Sequence, residues 1–201
     1  LSIRRQRQMC IRDSPYALFE EKYMSSLKSN QQNIEAICIS SYSHAKEEVN
    51  SRFVNLKFVN DKEFIFFSNY NSPKANDFFS HSQITALIYW SSIDVQIRIK
   101  ANVKKTSREF NLDYFSKREK KKNALAISSK QSNEISSYEE VLKNYENTLK
   151  RDNLGECPEY WGGYSFIPYY FEFWEGHKSR INKREVYEIK DNKWINYFLQ
   201  P

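Results

Sequence analysis

A long antiparallel hairpin is predicted in the middle of this 201-residue chain. Within residues 95–103, the apolar side chains of Val95, Ile97 and Ile99 alternate with polar neighbours. Side chains that alternate with a period of two lie on opposite faces of a strand, so one face is buried and the other is polar. The apolar segment 84–90 supplies the first arm, and a short turn at Ser91 and Ser92 joins it to the second arm. These two strands predict a sheet that covers a hydrophobic core.

The composition supports a β-rich fold. The chain contains 14 Phe, 14 Tyr and 4 Trp but only 4 Gly, and aromatic side chains pack well on pleated surfaces. A chain of this length can bury one sizeable core. We therefore predict an α+β, β-rich fold with one domain over residues 15–201.

Periodicity and capping residues predict the remaining elements. Ser72 and Pro73 are typical of a helix start, and serines at positions 107 and 137 open two further amphipathic helices. The remaining predicted segments are a helix over 15–28, a helix over 73–80, and strands over 36–42, 52–59, 64–68, 169–175, 185–189 and 194–199.

Several classes of protein are disfavoured by the sequence. The three cysteines, at positions 10, 38 and 157, form no C-x-x-C pair, and the three histidines have no metal-ligand spacing. No apolar run approaches the roughly 20 residues of a membrane helix, so we expect a cytoplasmic protein without a metal. A net charge of +6 admits nucleic acid as a partner, but no zinc-finger or RNP-like motif supports it.

Residues 1–14 are treated separately. The segment M-C-I-R-D-S at 9–14 has the character of a translated sequencing adapter rather than of natural protein. We therefore expect residues 1–14 to be non-native or disordered and exclude them from the fold prediction.

Four segments carry a resemblance to a known family. They read R-F-V-N-L-K at 52–57, W-G-G-Y at 161–164, F-W-E-G at 173–176 and R-I-N-K-R at 180–184, and Trp194 and Pro201 follow them. In this order they resemble the pyridoxamine 5′-phosphate oxidase family. The resemblance implies a split β-barrel of antiparallel strands with flanking helices, a dimerisation region over about 160–201, and a homodimer that binds two molecules of flavin mononucleotide (FMN).

The resemblance also implies the residues that bind the cofactor. An FMN site needs cations and N–H donors for the phosphate, polar groups for the ring edge and an aromatic or apolar wall. Strict alternation places Arg52 and Lys57 on opposite faces of their strand. Pro73 stands where the family usually has a basic residue. The implied FMN-binding residues are Arg52, Lys57, Phe67, Ser68, Lys74, Gln96, Gln131, Ser132, Trp174 and Arg184.

For the substrate, the resemblance implies pyridoxine 5′-phosphate or pyridoxamine 5′-phosphate, oxidised to pyridoxal 5′-phosphate with dioxygen as acceptor and hydrogen peroxide as product. Arg180 and Asn182 are the implied catalytic residues. Lys122 replaces a family serine, and Asn182 replaces a histidine. Asparagine cannot accept a proton near neutral pH, so a general-base role at this position is lost or moves to water. The implied substrate-binding residues are Lys57, Tyr114, Arg118, Lys122, Arg180 and Asn182.

Three other functions stay open. Lys122 and Asn182 favour a flavoprotein oxidase or reductase that acts on a different aromatic substrate. A non-catalytic protein that binds flavin or pyridoxal phosphate is a second alternative. The basic cluster at 117–122, taken alone, is explained equally well by a helix face exposed to solvent and by an anion-binding site. Nucleic-acid binding is the least supported alternative.

Overall fold

The computed structural model describes residues 14–151 and 153–201 in full and the backbone of residues 2–4. Five helices and nine strands occur in this part of the chain. The helices are α1 (Pro15–Lys28), α2 (Pro73–Ser80), α3 (Arg108–Lys117), α4 (Lys120–Ser128) and α5 (Tyr138–Leu149). The strands are β1 (Ser2–Arg4), β2 (Ala36–Ser43), β3 (Glu48–Asn60), β4 (Glu63–Asn69), β5 (Gln83–Trp90), β6 (Val95–Lys105), β7 (Trp161–Glu175), β8 (Lys183–Lys190) and β9 (Lys193–Leu199). The prediction made for residues 1–14 falls mostly outside the described residues.

Six antiparallel strands close into a barrel. Their order is β3-β2-β5-β6-β7-β4, and β4 returns to pair with β3. Strands β8 and β9 extend the sheet outward from β7, and β1 lies parallel to β3. The predicted α+β split barrel with flanking helices is therefore confirmed.

Alternating side chains fill the barrel as the sequence predicts. Val95, Ile97 and Ile99 are at most 2% exposed. The aromatic ring of Phe64 lies 5.4 Å from that of Phe166 and 5.0 Å from that of Phe19 on α1. Helix α1 thus adds aromatic side chains to the core, which explains its amphipathic pattern.

Strand β7 is longer than predicted. The sequence prediction began at residue 169, whereas β7 begins at Trp161. Pro168 lies within this strand, at a register shift where Ala101 faces Pro168 and Lys100 faces Tyr170. Proline is tolerated in a strand at such irregularities. The prediction therefore missed the first half of β7, the part of the strand that contains this proline.

The helix starts agree with the sequence, with two differences. The hydroxyl of Ser107 accepts a hydrogen bond from the N–H of Phe110, as expected for an N-cap. Ser72 occupies the N-cap position of α2, but its hydroxyl donates to the carbonyl of Asn69 at 2.7 Å instead of capping the helix. Helix α4 was not predicted, because its N-cap residue, Glu119, makes no capping bond and its first turn contains only lysines.

Two glycines allow α3 to approach β7 closely. A Cβ at Gly162 would lie 2.1 Å from the hydroxyl of Tyr70 and 2.4 Å from the amide nitrogen of Asn111 on α3. At Gly163 it would lie 2.6 Å from the hydroxyl oxygen of Thr106. Side chains at these positions would push α3 away from the sheet, and α3 carries residues of the site described below.

Removing the ring of Phe64 should test the barrel core. This side chain is fully buried, and we expect Phe64→Ala to lower the free energy of unfolding by about 3–5 kcal/mol because it leaves a large cavity. Urea unfolding at one protein concentration measures the change. Phe79→Ala is the matched control, since Phe79 is 93% exposed, and equal losses in both variants would contradict the proposed packing.

Candidate functional site

A cleft of about 410 Å³ opens beside β3, β4 and the start of α2. It brings together many of the residues that the sequence singled out, although they come from segments far apart in the chain. The lining residues are Arg52, Phe53, Val54, Asn55, Lys57, Phe67, Ser68, Pro73, Lys74, Tyr114, Arg118, Gln131, Ser132 and Trp161.

Lys74 is a buried ammonium group in this cleft. Its side chain leaves the first turn of α2, and the residue is only 8% exposed. The ammonium donates hydrogen bonds to the hydroxyls of Ser68 and Ser72, each at 3.2 Å, and to the amide oxygen of Gln131 at 3.1 Å. Burial, together with the nearby guanidinium of Arg52, lowers the pKa of Lys74 to about 8. These acceptors are neutral, so the site retains a positive charge that an anion can complement.

Arg52 is held at the same end of the cleft. Its guanidinium donates to the hydroxyl of Ser41 at 2.7 Å and to the carbonyl of Ile39 at 3.3 Å. The carboxylate of Asp77 lies 3.7 Å away and is itself buried. Arg52 therefore has a fixed orientation and a partner of opposite charge.

Arg52 and Lys57 both line the cleft, as do Phe53, Val54 and Asn55 between them. Exposure alternates along β3 from Arg52 to Leu56, which agrees with the prediction that Arg52 and Lys57 lie on opposite faces of the strand. The β3–β4 register shifts between Leu56 and Phe58, which leaves Lys57 as an extra residue in a bulge. Strict alternation ends at such a bulge. The ammonium of Lys57 forms an ion pair with the carboxylate of Glu35.

Three stacked rings form an aromatic wall. The ring of Phe67 lies 4.1 Å from that of Tyr114 and 5.0 Å from that of Trp161, with interplanar angles of 16° and 9°. Sequence reasoning quoted Trp161 as a motif residue but did not assign it to the site. Its position is set by the pairing of β4 with β7, in which Asn69 faces Trp161.

Arg118 lies beside Trp161, at one end of the aromatic wall. Its guanidinium lies 5.2 Å from the centre of the Trp161 ring and donates to the amide oxygen of Asn123 at 3.1 Å. Asn123 is 1% exposed and donates to the carbonyls of Phe115 and Leu154. Sequence reasoning missed Asn123, whose role as a buried anchor depends on the unpredicted helix α4.

A second group of predicted residues lies in one row across β6, β7 and β8. Gln96 faces Trp174, and Trp174 faces Arg184. Arg184 donates to the buried carboxylate of Glu172 at 2.8 and 2.9 Å. On the other side, Arg98 also pairs with Glu172. This row does not line the cleft of the same chain.

The three remaining predicted residues also lie outside the cleft lining. The Lys122 ammonium lies 3.0 Å from the carboxylate of Glu119, and its side chain is 66% exposed. In the loop between β7 and β8, the amide oxygen of Asn182 accepts a hydrogen bond from the backbone N–H of His177 at 3.0 Å. Arg180 lies in the same loop, is exposed and has a φ of 61°.

The described residues were also compared with the requirements of a metal site and of a membrane-spanning helix. Across residues 14–151 and 153–201, no cluster of three or more His, Cys, Asp or Glu side chains could hold a metal ion. In the same ranges, no helix has both the length and the hydrophobicity needed to cross a membrane. The lining of the cleft supplies cations, hydroxyls, amides and aromatic rings.

The closed barrel, its flanking strands and this cleft define a split-barrel protein. The chain belongs to the pyridoxamine 5′-phosphate oxidase family. The family model described as "Pyridoxamine 5′-phosphate oxidase" matches residues 26–149, and the model described as "Pyridoxine 5′-phosphate oxidase C-terminal dimerisation region" matches residues 161–201.

Named relatives agree with this assignment. Pyridoxine/pyridoxamine 5′-phosphate oxidase 2 of Hydrogenovibrio crunogenus is 32% identical over 191 residues, which cover 94% of this chain and 89% of that protein. PhzG of Burkholderia lata, solved with tetrahydrophenazine-1-carboxylic acid, has a TM-score of 0.86 at 22% identity and covers 94% of this chain and 93% of its own. An FMN-binding protein of Nostoc punctiforme has a TM-score of 0.77 at 12% identity, with coverage of 96% and 100%. The two structures show the fold.

The lowered pKa of Lys74 predicts how anion binding depends on pH. Below about pH 7 the Lys74 side chain is an ammonium, and above about pH 8 it is mainly the neutral amine. Sulfate remains a dianion throughout, so we expect its affinity to fall about tenfold between pH 7 and pH 9 as the cation is lost. Isothermal titration calorimetry measures this affinity. Lys74→Met should bind sulfate weakly and without this pH dependence, and an unchanged profile in that variant would contradict the assignment.

Proposed function

We propose that this protein is an FMN-dependent oxidase that converts pyridoxine 5′-phosphate or pyridoxamine 5′-phosphate to pyridoxal 5′-phosphate, with dioxygen as the electron acceptor and hydrogen peroxide as the product. The observation that carries the proposal is the pair of cations, Lys74 and Arg118, at two ends of a cleft with an aromatic wall. Two separate anionic groups and a flat ring system complement this arrangement.

The residues at the Lys74 end fit the phosphate of FMN. A buried ammonium with only neutral hydrogen-bond acceptors is costly until an anion pairs with it. Ser68, Gln131 and Ser132 add hydroxyl and amide groups around that position, and Arg52 adds a second cation. With Pro73 in place of a basic residue, Arg52 and Lys74 are the two cations at this end of the cleft.

The outer face of the sheet supports a homodimer. Pairing registers align Phe53 on β3 with Cys38 on β2, Leu87 on β5 and Arg98 on β6. Phe53 lines the cleft but is 74% exposed, and Tyr89 on the same face is 55% exposed. Such an apolar surface on an otherwise polar sheet favours association with a second copy.

A twofold dimer would also complete the site. In an isologous interface the same surface is used by both subunits, so the face that carries Phe53 and the cleft can meet the face that carries Gln96, Trp174 and Arg184. The predicted FMN-binding residues that do not line the cleft of their own chain would then complete the cleft of the other subunit. This agrees with the match of residues 161–201 to a dimerisation region.

The other end of the cleft suits the phosphate of the substrate. Arg118, Tyr114 and Lys57 supply cations and a hydroxyl there. Arg180 lies outside the cleft lining of its own chain and would orient the reacting side of the ring from the other subunit of the dimer. Bound FMN supplies the hydride acceptor and the route for electrons to dioxygen. Asn182 can donate or accept a hydrogen bond but cannot hold a proton near neutral pH, so the proton released by the substrate passes to water.

Asn182 also favours a second candidate function, in which the flavin site is retained but the substrate is a different aromatic compound. Lys122 agrees with this reading, because its ion pair with Glu119 turns it away from the cleft lining. Turnover assays on defined substrates separate the two candidates.

An aerobic turnover assay tests the proposed function. We expect the purified protein to carry the absorption bands of bound FMN and to form pyridoxal 5′-phosphate and peroxide from pyridoxine 5′-phosphate. Asn182→His should raise the rate about tenfold or more, because it supplies a group that can accept a proton. Bound FMN with no product from either phosphorylated substrate, in both proteins, would favour the second candidate. Protein that binds no FMN would refute both.

Mixed dimers test the shared site. We expect Lys74→Met and Arg184→Gln each to be inactive alone, since each removes a cation from a different part of the same FMN site. When the two variants are co-expressed in equal amounts, half of the dimers are mixed and carry one intact site of two, so activity should return to about one quarter of the wild-type value. Activity that stays at the level of the single variants, in protein shown to be dimeric, would contradict a shared site.

A further inference from the structure

The four cations of the cleft differ in their partners. Arg52 lies beside the buried carboxylate of Asp77. Lys57 forms an ion pair with Glu35, whereas Lys74 and Arg118 donate hydrogen bonds to neutral oxygen atoms. The carboxylate beside Lys57 therefore offsets its charge at the position where a phosphate of the substrate is expected.

Glu35 is held in place by the fold. It directly precedes β2, and its backbone carbonyl accepts a hydrogen bond from the N–H of Leu56 at 2.8 Å. That bond fixes Glu35 next to the bulge that contains Lys57. The two side chains are 31% and 32% exposed, so water screens their charges only in part.

A carboxylate at this position acts against a phosphate dianion. The attraction between Lys57 and a phosphate is opposed by the repulsion between that phosphate and Glu35, and the ligand must also compete with Glu35 for the ammonium. A ligand without a phosphate meets neither effect. The ion pair thus discriminates between ligands by their charge.

We propose that Glu35 is a specificity-determining residue that weakens binding of a phosphorylated substrate at the Lys57 end of the cleft. This inference rests on the proposed function for the location of the substrate phosphate. It distinguishes Glu35 from a residue that merely positions Lys57, because the two roles predict opposite results. If Glu35 repels the phosphate, neutralising Glu35 makes phosphate binding tighter. If Glu35 only positions Lys57, neutralising Glu35 makes phosphate binding weaker.

Neutralising Glu35 tests the inference. The probe is 4-deoxypyridoxine 5′-phosphate, which has no hydroxyl or amine on its 4′ carbon to be oxidised, and its unphosphorylated form is the reference. By calorimetry on the FMN-loaded protein, Glu35→Gln should bind the phosphorylated probe about tenfold more tightly, because one like charge is removed beside a partly buried anion. The affinity for the unphosphorylated form should not change.

Glu63→Gln is the matched control. Glu63 forms an ion pair with Lys104 at 3.0 Å and is 36% exposed, close to the exposure of Glu35, but its partner Lys104 does not line the cleft, whereas Lys57 does. We expect no change in that variant. In Glu35→Gln/Lys57→Gln the gain should disappear if Glu35 acts at Lys57.

Two results would overturn the inference. One is unchanged or weaker binding of the phosphorylated probe by a folded Glu35→Gln protein, and the other is an equal gain for the unphosphorylated form. FMN absorbance, recorded on the same samples, reports separately on the proposed function. If no FMN is bound, the same comparison is made with sulfate as the probe on proteins that also carry Lys74→Met, so that sulfate bound at Lys74 does not mask the Glu35→Gln effect.

Discussion

Closure of the barrel by β4 is the constraint on which both the core and the cleft depend. This strand pairs with β3 on one side and with β7 on the other. Phe64 and Phe66 point into the core and are fully buried, whereas Phe67 and Ser68 line the cleft. Because the β4–β7 pairing also sets Trp161 beside Phe67, the burial that stabilises the barrel simultaneously builds the aromatic wall.

The cost of a buried ammonium explains how the loops are tied to the cleft. Lys74 needs acceptors once it leaves water, and one of them, Gln131, lies in the segment between α4 and α5. Gln131 also accepts a hydrogen bond from Ser68 at 3.1 Å. Ser68, Ser72 and Gln131 use all three N–H donors of the Lys74 ammonium, so an anion that binds it directly must displace one of them. Ligand binding and the order of this segment are therefore energetically linked.

The sequence predicted elements whose signals are local, and it failed where the structure depends on contacts between distant segments. The alternation at 95–103 correctly predicted which side chains face the core, because every second residue of this regular strand is buried. The same rule could not reveal the bulge at Lys57, since a bulge depends on the pairing partner rather than on the strand itself. The first half of β7, which contains Pro168, was also missed. There too the irregularity depends on the pairing of β7 with β6. The family resemblance supplied most cleft residues, but Glu35 and Asn123 have no local pattern and are recognised only through their partners.

Under the proposed function, binding and proton transfer depend on different parts of this chain. The cations and rings that line the cleft belong to β3, β4, β7, α2 and α3 and to Arg118, which directly follows α3. The position that could accept a proton belongs to the loop between β7 and β8, where Asn182 is held by the backbone of His177. A substitution in that loop can change the rate of turnover without disturbing the packing that forms the cleft. Affinity for flavin and substrate can therefore persist in a chain whose turnover depends on water as the proton acceptor.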